Sequence, residues 1–435
     1  MKNQSGLKGV WFVFAICAVV VIPASAQTLT VLHSFTGTDG RNPYAALVQA
    51  TNGMLYGTAQ QGGANSSGTV FKITTGGALT TLYNFCPVAG CADGSFPKAG
   101  LVQAQNGTFY GTTSGGFGTI FKMTAGGTLS TLYTVCSLSS CTDGETPTAG
   151  LIQGSNGALY GTTFAGVAHN NGTAFDISTS GVLTTVYNFC SQSSCKDGAS
   201  PEAGLIQGTD NNFYGTTYYG GTFTYYGTLF KISPTETFTS LHSFDGTDGD
   251  EPIGGLLQAT DGNFYGTTQT DGANGYGTVF RITSTGTLTT LYNFCAVASC
   301  ADGEFPQDSL IQGTDGKLYG TTFEGGAHGD GTIFSITTSG TLTTLHSFDG
   351  TDGNQPLASL AQDTNGTFYG TTYSGGTSNY GTVFSLSVGL GPFVKTQPAS
   401  GKGGASINIL ESQLTGATSV TFNGISAVFK LVSGS

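Results

Sequence analysis

The tripeptide Tyr-Gly-Thr, preceded by Leu or Phe, recurs seven times along the 435-residue chain, and this repetition constrains the fold more than any other feature. The copies are 50 to 54 residues apart and begin at Tyr56, Tyr110, Tyr160, Tyr214, Tyr265, Tyr319 and Tyr369. A Gly-Thr with an apolar run follows each copy, and a segment of the type LTTLYNF also occurs seven times. Internal repeats of this length indicate an array of supersecondary units.

Each unit contains four short runs rich in β-branched and aromatic residues. In the fifth unit they are GGLLQAT, NFYGTTQ, GTVFRIT and TLTTLYNF, with turn residues such as Asp261-Gly262 between them. Such runs predict β-strands, and no segment shows a helical period. Four antiparallel strands in each of seven units predict an all-β fold, a seven-bladed β-propeller of four-stranded blades. A β-helix is the alternative, although it favours shorter repeats.

The two ends of the array are complementary. The array begins with a fourth-strand sequence at Leu29 and finishes with a third-strand sequence at Ser387. The N-terminal strand is therefore predicted to complete the seventh blade and close the ring, which leaves no chain-terminal blade edge open. We expect the propeller to span residues 27–388.

Composition excludes several classes of protein. The 29 Phe and 19 Tyr, with only 9% charged residues, argue against disorder. The net charge of −12 argues against a nucleic acid partner, because phosphate binding needs a basic surface. The 70 glycines are consistent with a chain rich in tight turns.

The N-terminus has the pattern of a secretory signal peptide, predicted over residues 1–26. Lys2 and Lys8 precede the apolar stretch VWFVFAICAVVVI, and Ala24-Ser25-Ala26 offers a cleavage site. The apolar stretch is too short to span a bilayer comfortably, and no later run is long enough. We therefore expect a secreted or cell-surface protein without a transmembrane segment, present as a monomer.

The eight remaining cysteines form four sequence pairs with four residues between the members of each. The pairs are Cys86 and Cys91, Cys136 and Cys141, Cys190 and Cys195, and Cys295 and Cys300. Neighbouring cysteines pair at the lowest loop-closure entropy, which predicts four local disulfides. A zinc site is the alternative, but it favours tighter pairs or nearby histidines. We predict no metal and no cofactor.

The phrases YGTT, GTVFKI and LTTLYNF, over residues 29 to 387, resemble the bacterial GloVer tandem repeat. That resemblance implies an exported protein and no known activity. The blade phrase is also similar to that of streptogramin-lyase propellers, which supports the blade assignment. After a linker at 389–397, residues 398–435 resemble the first half of an IPT/TIG immunoglobulin-like module, so an incomplete domain is expected.

Aromatic residues concentrate in one variable loop of the fourth unit, with the sequence YYGGTFTYYG. Exposed aromatic side chains stack on sugar rings or anchor protein partners. The predicted ligand-binding residues are Tyr218, Tyr219, Phe223, Tyr225 and Tyr226, with Tyr276 and Tyr380 at equivalent places in the fifth and seventh units. The alternative is that these rings pack over neighbouring blades.

A catalytic site would break the repeat symmetry. Glu324, His328 and Asp330 share one loop of the sixth unit and are the acid-base candidates, and His169 also departs from the repeat. An aspartate before a glycine occurs in all seven units and is predicted to form a structural turn. We expect a non-catalytic binding or envelope module for a polysaccharide or a cell-surface protein. The alternative is a secreted propeller enzyme of lyase or glycosidase type.

Overall fold

The computed structural model describes residues 27–166 and 170–397, with the backbone of 408–410, 420–422 and 425–427. Seven antiparallel sheets of four strands each confirm the all-β, seven-bladed propeller. No α-helix occurs in this part of the chain, where the helical segments are three short 3-10 turns at Ser139–Cys141, Ser193–Cys195 and Ala298–Cys300. None of the described helices is long and apolar enough to cross a membrane.

Each blade is built from the inside outward. The innermost strands are Val48–Gln49, Val102–Gln103, Ile152–Gln153, Ile206–Gln207, Leu257–Gln258, Ile311–Gln312 and Ala361–Gln362. The second strands, which carry the Tyr-Gly-Thr motif, are Leu55–Ala59, Phe109–Thr113, Leu159–Thr163, Phe213–Thr217, Phe264–Thr268, Leu318–Thr322 and Phe368–Thr372.

The third strands carry the Gly-Thr element, and the outer strands carry the LTTLYNF element. The third strands are Thr69–Ile73, Thr119–Met123, Thr173–Ile177, Thr228–Ile232, Thr278–Ile282, Thr332–Ile336 and Thr382–Ser387. The outer strands of blades one to six are Leu79–Asn84, Leu129–Thr134, Leu183–Asn188, Phe238–Ser243, Leu288–Asn293 and Leu342–Ser347.

The N-terminal strand Thr28–Ser34 is the outer strand of the seventh blade. It pairs antiparallel with the third strand of that blade, for example through Val31 opposite Phe384. The predicted closure of the ring is therefore confirmed, and both ends of the array are held in one sheet.

The repeated glycine is required by a close approach of the third strand. A methyl group added at Gly57 would lie 2.6 Å from the Phe71 ring and 2.7 Å from the Leu47 side chain. The tyrosine before this glycine packs between blades: Tyr56 stacks on Phe109 of the next blade with ring centroids 4.3 Å apart. The motif thus encodes packing within and between blades.

Two polar residues of the repeat join neighbouring blades. The threonine after the repeated glycine donates to a carbonyl in the next blade, as Thr58 does to Ala99 at 2.9 Å. Across the ring closure, Thr371 donates to the Ala45 carbonyl at 3.3 Å. The repeated glutamine bonds within its blade and also accepts an N–H from the preceding blade, as Gln103 does from Thr51 at 2.9 Å.

The repeated aspartate fixes the connection between blades, as predicted for a structural turn. Asp93 accepts hydrogen bonds from the Tyr83 hydroxyl at 2.9 Å and from the Cys86 N–H at 3.0 Å. Where a histidine replaces the tyrosine, His33 contacts Asp39 at 2.7 Å in the same way.

All four predicted disulfides are confirmed, one in each of the longer connections between blades. They join Cys86 to Cys91, Cys136 to Cys141, Cys190 to Cys195, and Cys295 to Cys300. The second cysteine of each pair stands two residues before the repeated aspartate, as Cys91 does before Asp93. Each bridge therefore closes a small loop beside the turn that leads into the next blade.

The chain leaves the propeller beneath the seventh blade. Leu390 packs against the core between the sixth and seventh blades, and the Phe393 N–H donates to the Thr364 carbonyl at 2.9 Å. Beyond it, Lys395–Gln397 pairs with Asn408–Leu410, and Val420–Phe422 pairs with Ile425–Ala427. The predicted signal peptide and the rest of the segment that resembles IPT/TIG lie outside the described residues.

Candidate functional site

Two sets of loops meet on one face of the propeller, which we call the loop face. It consists of the loops after the second strands and the connections that lead into the next blade. The two sets pair directly, as Glu304 does with Glu324 and Ala199 with Tyr219. The loop face therefore brings the variable parts of the seven blades onto one rigid support.

The blade-four loop presents three exposed aromatic side chains. Tyr219, Phe223 and Tyr225 are 41%, 51% and 70% exposed. Only two other aromatic residues in the described chain are among the exposed large hydrophobic side chains, namely Phe96 and Phe117. Aromatic exposure is thus concentrated in this loop.

Tyr218 lies at the base of the same loop and is held in place. Its hydroxyl donates to the Glu251 carboxylate at 2.7 Å, and its ring meets Tyr219 edge to face at 4.2 Å between centroids. Burial, followed by the hydrogen bond and the charge of Glu251, raises the pKa of Tyr218. The residue stays a neutral hydrogen-bond donor that orients its exposed neighbour.

The other predicted aromatic residues are half-buried and contribute to packing. Tyr226 and Tyr276 contact the cores between blades, and the Tyr276 ring lies 5.6 Å from the Phe305 ring. The Tyr380 ring lies 5.9 Å from the Arg41 guanidinium and covers Gly37. The packing interpretation fits these three tyrosines better than a ligand-contact role.

The predicted acid-base loop of blade six is not assembled as a catalytic group. No hydrogen bond or ion pair joins Glu324, His328 and Asp330, all of which the structure describes. His328 is exposed, whereas Glu324 is half-buried. Burial, followed by the charges of Glu324 and Asp302, raises the pKa of Glu304. His169 lies outside the described residues.

Two groups of potential metal ligands occur among the described residues. They combine Cys136 and Cys141 with Glu145, and Cys295 and Cys300 with Glu304. In both groups the cysteines are joined in disulfides, so no thiolate is present to bind a metal.

The innermost strands enclose a central cavity of about 360 Å³, which we call the channel. Its walls are mostly alanine, glycine and leucine. One repeat position, directly after the repeated proline, places a different residue at the channel in every blade: Tyr44, Lys98, Thr148, Glu202, Ile253, Gln307 and Leu357. The leucine three residues further on is the same in all seven blades. The repeat symmetry is therefore broken at the channel.

A lysine bridges part of the channel. The Lys98 ammonium lies 2.5 Å from the Glu202 carboxylate and 4.6 Å from the centre of the Tyr44 ring. Burial alone lowers the pKa of Lys98, but the charges of Glu202 and Tyr44 more than offset this, and the pKa is raised. Lys98 is thus a charged group whose charge Glu202 balances.

Asp308 is the second break in symmetry. At its position five other blades have alanine and one has Gly254. The Asp308 carboxylate accepts the N–H groups of Ser309, at 2.6 Å, and of Ser359 in the next blade, at 2.5 Å. It lies deep in the molecule yet keeps accessible surface, because it lines the channel. Burial raises the pKa of Asp308 to about 6.

These channel residues are not among the site residues predicted from the sequence. The signal that identifies them is available in the sequence, because an alignment of the seven units shows one variable column beside nearly uniform ones. The residues that the sequence analysis identified as departures from the repeat, such as Glu324 and His328, lie in loops and not at the channel. Only the structure shows that the column after the proline faces the channel.

Fold and repeat together define a seven-bladed propeller built from tandem units. The model of one family, described as the Gloeobacter/Verrucomicrobia repeat, matches residues 16–152, 114–312 and 296–417. The chain belongs to that family. A search of curated proteins gave no match.

Solved structures show the same fold at low sequence identity. Virginiamycin B lyase from Staphylococcus aureus is 16% identical with a TM-score of 0.57, over 83% of this chain and 98% of that one. The extracellular domain of a one component system from B. thetaiotaomicron is 12% identical with a TM-score of 0.56. That match covers 85% of this chain and 41% of the other. At these identities the likeness shows the propeller alone.

Proposed function

We propose that the protein is an exported, non-catalytic binding module that takes up an extracellular polysaccharide through the blade-four loop. The observation that carries this proposal is the group of three exposed aromatic side chains, Tyr219, Phe223 and Tyr225, in one loop on a rigid support. Aromatic rings offer large apolar faces at a low cost in conformational entropy, and such faces stack on sugar rings.

A polysaccharide fits this loop better than a protein partner. A specific protein interface covers about 800 Å² on each partner around an apolar centre, which one loop does not supply. The loop is built from tyrosine, phenylalanine, threonine and glycine, and its Tyr218 hydroxyl is bound by Glu251. A sugar chain needs only a few ring faces and polar edges of this kind.

Export is supported by the four disulfides, because disulfides persist in oxidising compartments. The proposal includes cleavage of a signal peptide at residues 1–26, placement in the secreted or cell-surface fraction, and action as a monomer. Fractionation of the native host, with N-terminal sequencing of the recovered protein, tests this part. A protein that starts at Met1 and stays in the cytoplasm contradicts it.

The binding proposal is tested with a glycan array and a panel of cell-wall polysaccharides. The test variant replaces Tyr219, Phe223 and Tyr225 with serine, and the control replaces Phe117, which is 57% exposed in the blade-two loop. We expect the test variant to weaken binding at least tenfold, because each lost ring removes about 1 kcal/mol or more. Equal loss in the Phe117→Ser control, or no loss in the test variant, contradicts the proposal.

A propeller enzyme of lyase or glycosidase type is the second candidate. The observation that favours it is that two carboxylates, Glu202 and Asp308, line the same channel. The acid-base candidates of the blade-six loop are not joined in this way. Incubation of the bound polysaccharide with the protein, followed by product analysis, tests this candidate. Products that disappear in Glu202→Gln favour the enzyme, whereas loss of products in Glu324→Gln restores the blade-six loop as the catalytic candidate.

A further inference from the structure

The channel has one carboxylate more than it has cations. Lys98 is paired with Glu202, and no ion pair reaches Asp308 within the described residues. Each oxygen of Asp308 accepts one backbone N–H and the Ser309 side chain also hydrogen-bonds to this carboxylate, while a carboxylate accepts about four hydrogen bonds in all. Acceptor positions and a negative charge therefore remain available at the channel surface.

The charge of the channel lining is net negative. Its charged residues are two acids and one base. The acids are Glu202 and Asp308, and the base is Lys98. A concave site with a net charge concentrates ligands of the opposite sign. This arrangement favours a cationic ligand.

The size and lining of the channel limit that ligand to a small polar ring. Its volume of about 360 Å³ is at the lower end for small-molecule sites. Thr148, Gln307, Ser309 and Ser359 are polar residues of the lining, and Tyr44 is its aromatic residue. These groups complement the hydroxyls of a sugar, and the aromatic ring complements its apolar face.

We propose that the channel binds a small cationic sugar of the amino-sugar class, whose ammonium group pairs with the Asp308 carboxylate. The site is separate from the blade-four loop, so this inference does not depend on the proposed function. Pairing with the ligand accounts for an aspartate at position 308, where the other six blades have alanine or glycine. The Lys98–Glu202 pair leaves Asp308 as the unbalanced charge that selects an amine.

The test compares glucosamine with glucose, which has the same ring and hydroxyls but no amine, by isothermal titration calorimetry on the full-length protein at neutral pH. We expect glucosamine to bind at least tenfold more tightly than glucose. Asp308→Ala introduces the residue found in five other blades and is expected to fold. It should lower glucosamine affinity at least tenfold and leave glucose affinity unchanged.

Three further variants complete the design. Glu236→Gln removes one charge in an exposed turn between the third and outer strands of blade four, outside the channel lining, and it should leave glucosamine affinity unchanged. Asp308→Asn keeps the shape of the side chain and should lose affinity as Asp308→Ala does. The triple serine variant of Tyr219, Phe223 and Tyr225 should bind glucosamine normally, which separates this site from the polysaccharide site.

Equal affinity for glucosamine and glucose overturns the proposal, because no group then selects the amine. Absence of glucosamine binding also overturns it. Binding that survives in both Asp308→Ala and Asp308→Asn would place the amine elsewhere and overturn the assignment of Asp308. Circular dichroism of each variant establishes that the fold is intact before its affinity is compared.

Discussion

Replacing Asp308 with alanine should change the stability of the protein by an amount that depends on pH and that is more favourable at neutral pH than in acid. Burial raises the pKa of Asp308 to about 6 from an ordinary value of 3.8. A shift of about two units corresponds to about 3 kcal/mol, because each unit is worth 1.36 kcal/mol. The buried carboxylate therefore destabilises the folded state by an amount of this order once it is ionised.

The sign follows from proton binding. Between about pH 4 and pH 6 the folded protein keeps the Asp308 proton that the unfolded chain has lost, so stability falls as pH rises. Below that range Asp308 is protonated in both states and the cost disappears. The free energy of unfolding of Asp308→Ala, relative to the native protein, should thus rise by about 3 kcal/mol from about pH 3 to about pH 8.

Urea unfolding followed by far-ultraviolet circular dichroism, at several pH values on both proteins, measures this difference. Contributions from other titrating groups cancel where they do not contact Asp308. The lost hydrogen bonds to Ser309 and Ser359 shift the whole curve and leave its slope. A difference that stays constant with pH, or that moves against the variant as pH rises, would refute the argument.

Three further predictions test the fold. Gly266→Ala would place a methyl group 2.5 Å from the Phe280 ring and should lower the stability by about 1–3 kcal/mol. Gly126→Ala, where the nearest neighbouring atom is at 3.9 Å, should lower it little. Thermal denaturation compares the two variants, and equal effects would contradict the packing argument. Reduction of the four disulfides should lower the melting temperature without unfolding the protein. On the chain-entropy model, a bridge that closes so short a loop stabilises the protein by about 2 kcal/mol. Unfolding at room temperature after reduction would show that the bridges are needed for the fold. Asp143→Asn should be most destabilising at neutral pH and least destabilising in acid. Burial raises the pKa of Asp143, but hydrogen bonds from Tyr133 and Ser137 outweigh it and the pKa is lowered, so the stabilisation from this carboxylate is lost as pH falls through the folded-state pKa. Urea midpoints that differ from those of the native protein equally at pH 7 and pH 3 would contradict this prediction.

The architecture was predictable because its signals are local and repeated seven times. Strand runs, turn glycines and cysteine pairs such as Cys86 with Cys91 each depend on residues close in sequence. The closure of the ring by Thr28–Ser34 was predictable too. The repeat has an extra outer-strand sequence at its N-terminal end and lacks one at its C-terminal end, so the first strand can complete the last blade.

The candidate sites were less predictable because they depend on which way side chains face. Tyr219 and Tyr226 belong to one tyrosine-rich loop, yet the first is exposed and the second packs into a core. Glu324 and His328 are neighbours in sequence, but no hydrogen bond or ion pair joins them in the part of the chain that the structure describes. The sequence of a loop does not specify which of its side chains are exposed, because contacts with the neighbouring blade determine which rings are buried.

The sequence by itself determined the number of blades, the strand order, the closure and the disulfide pairs. The tertiary structure decided that one column of the repeat meets at the axis, where Tyr44, Lys98, Glu202 and Asp308 share a channel. Consecutive members of this group are 54, 104 and 106 positions apart in sequence. They become neighbours only because seven blades are arranged around one axis, so that chemistry spread over the whole chain converges at its centre.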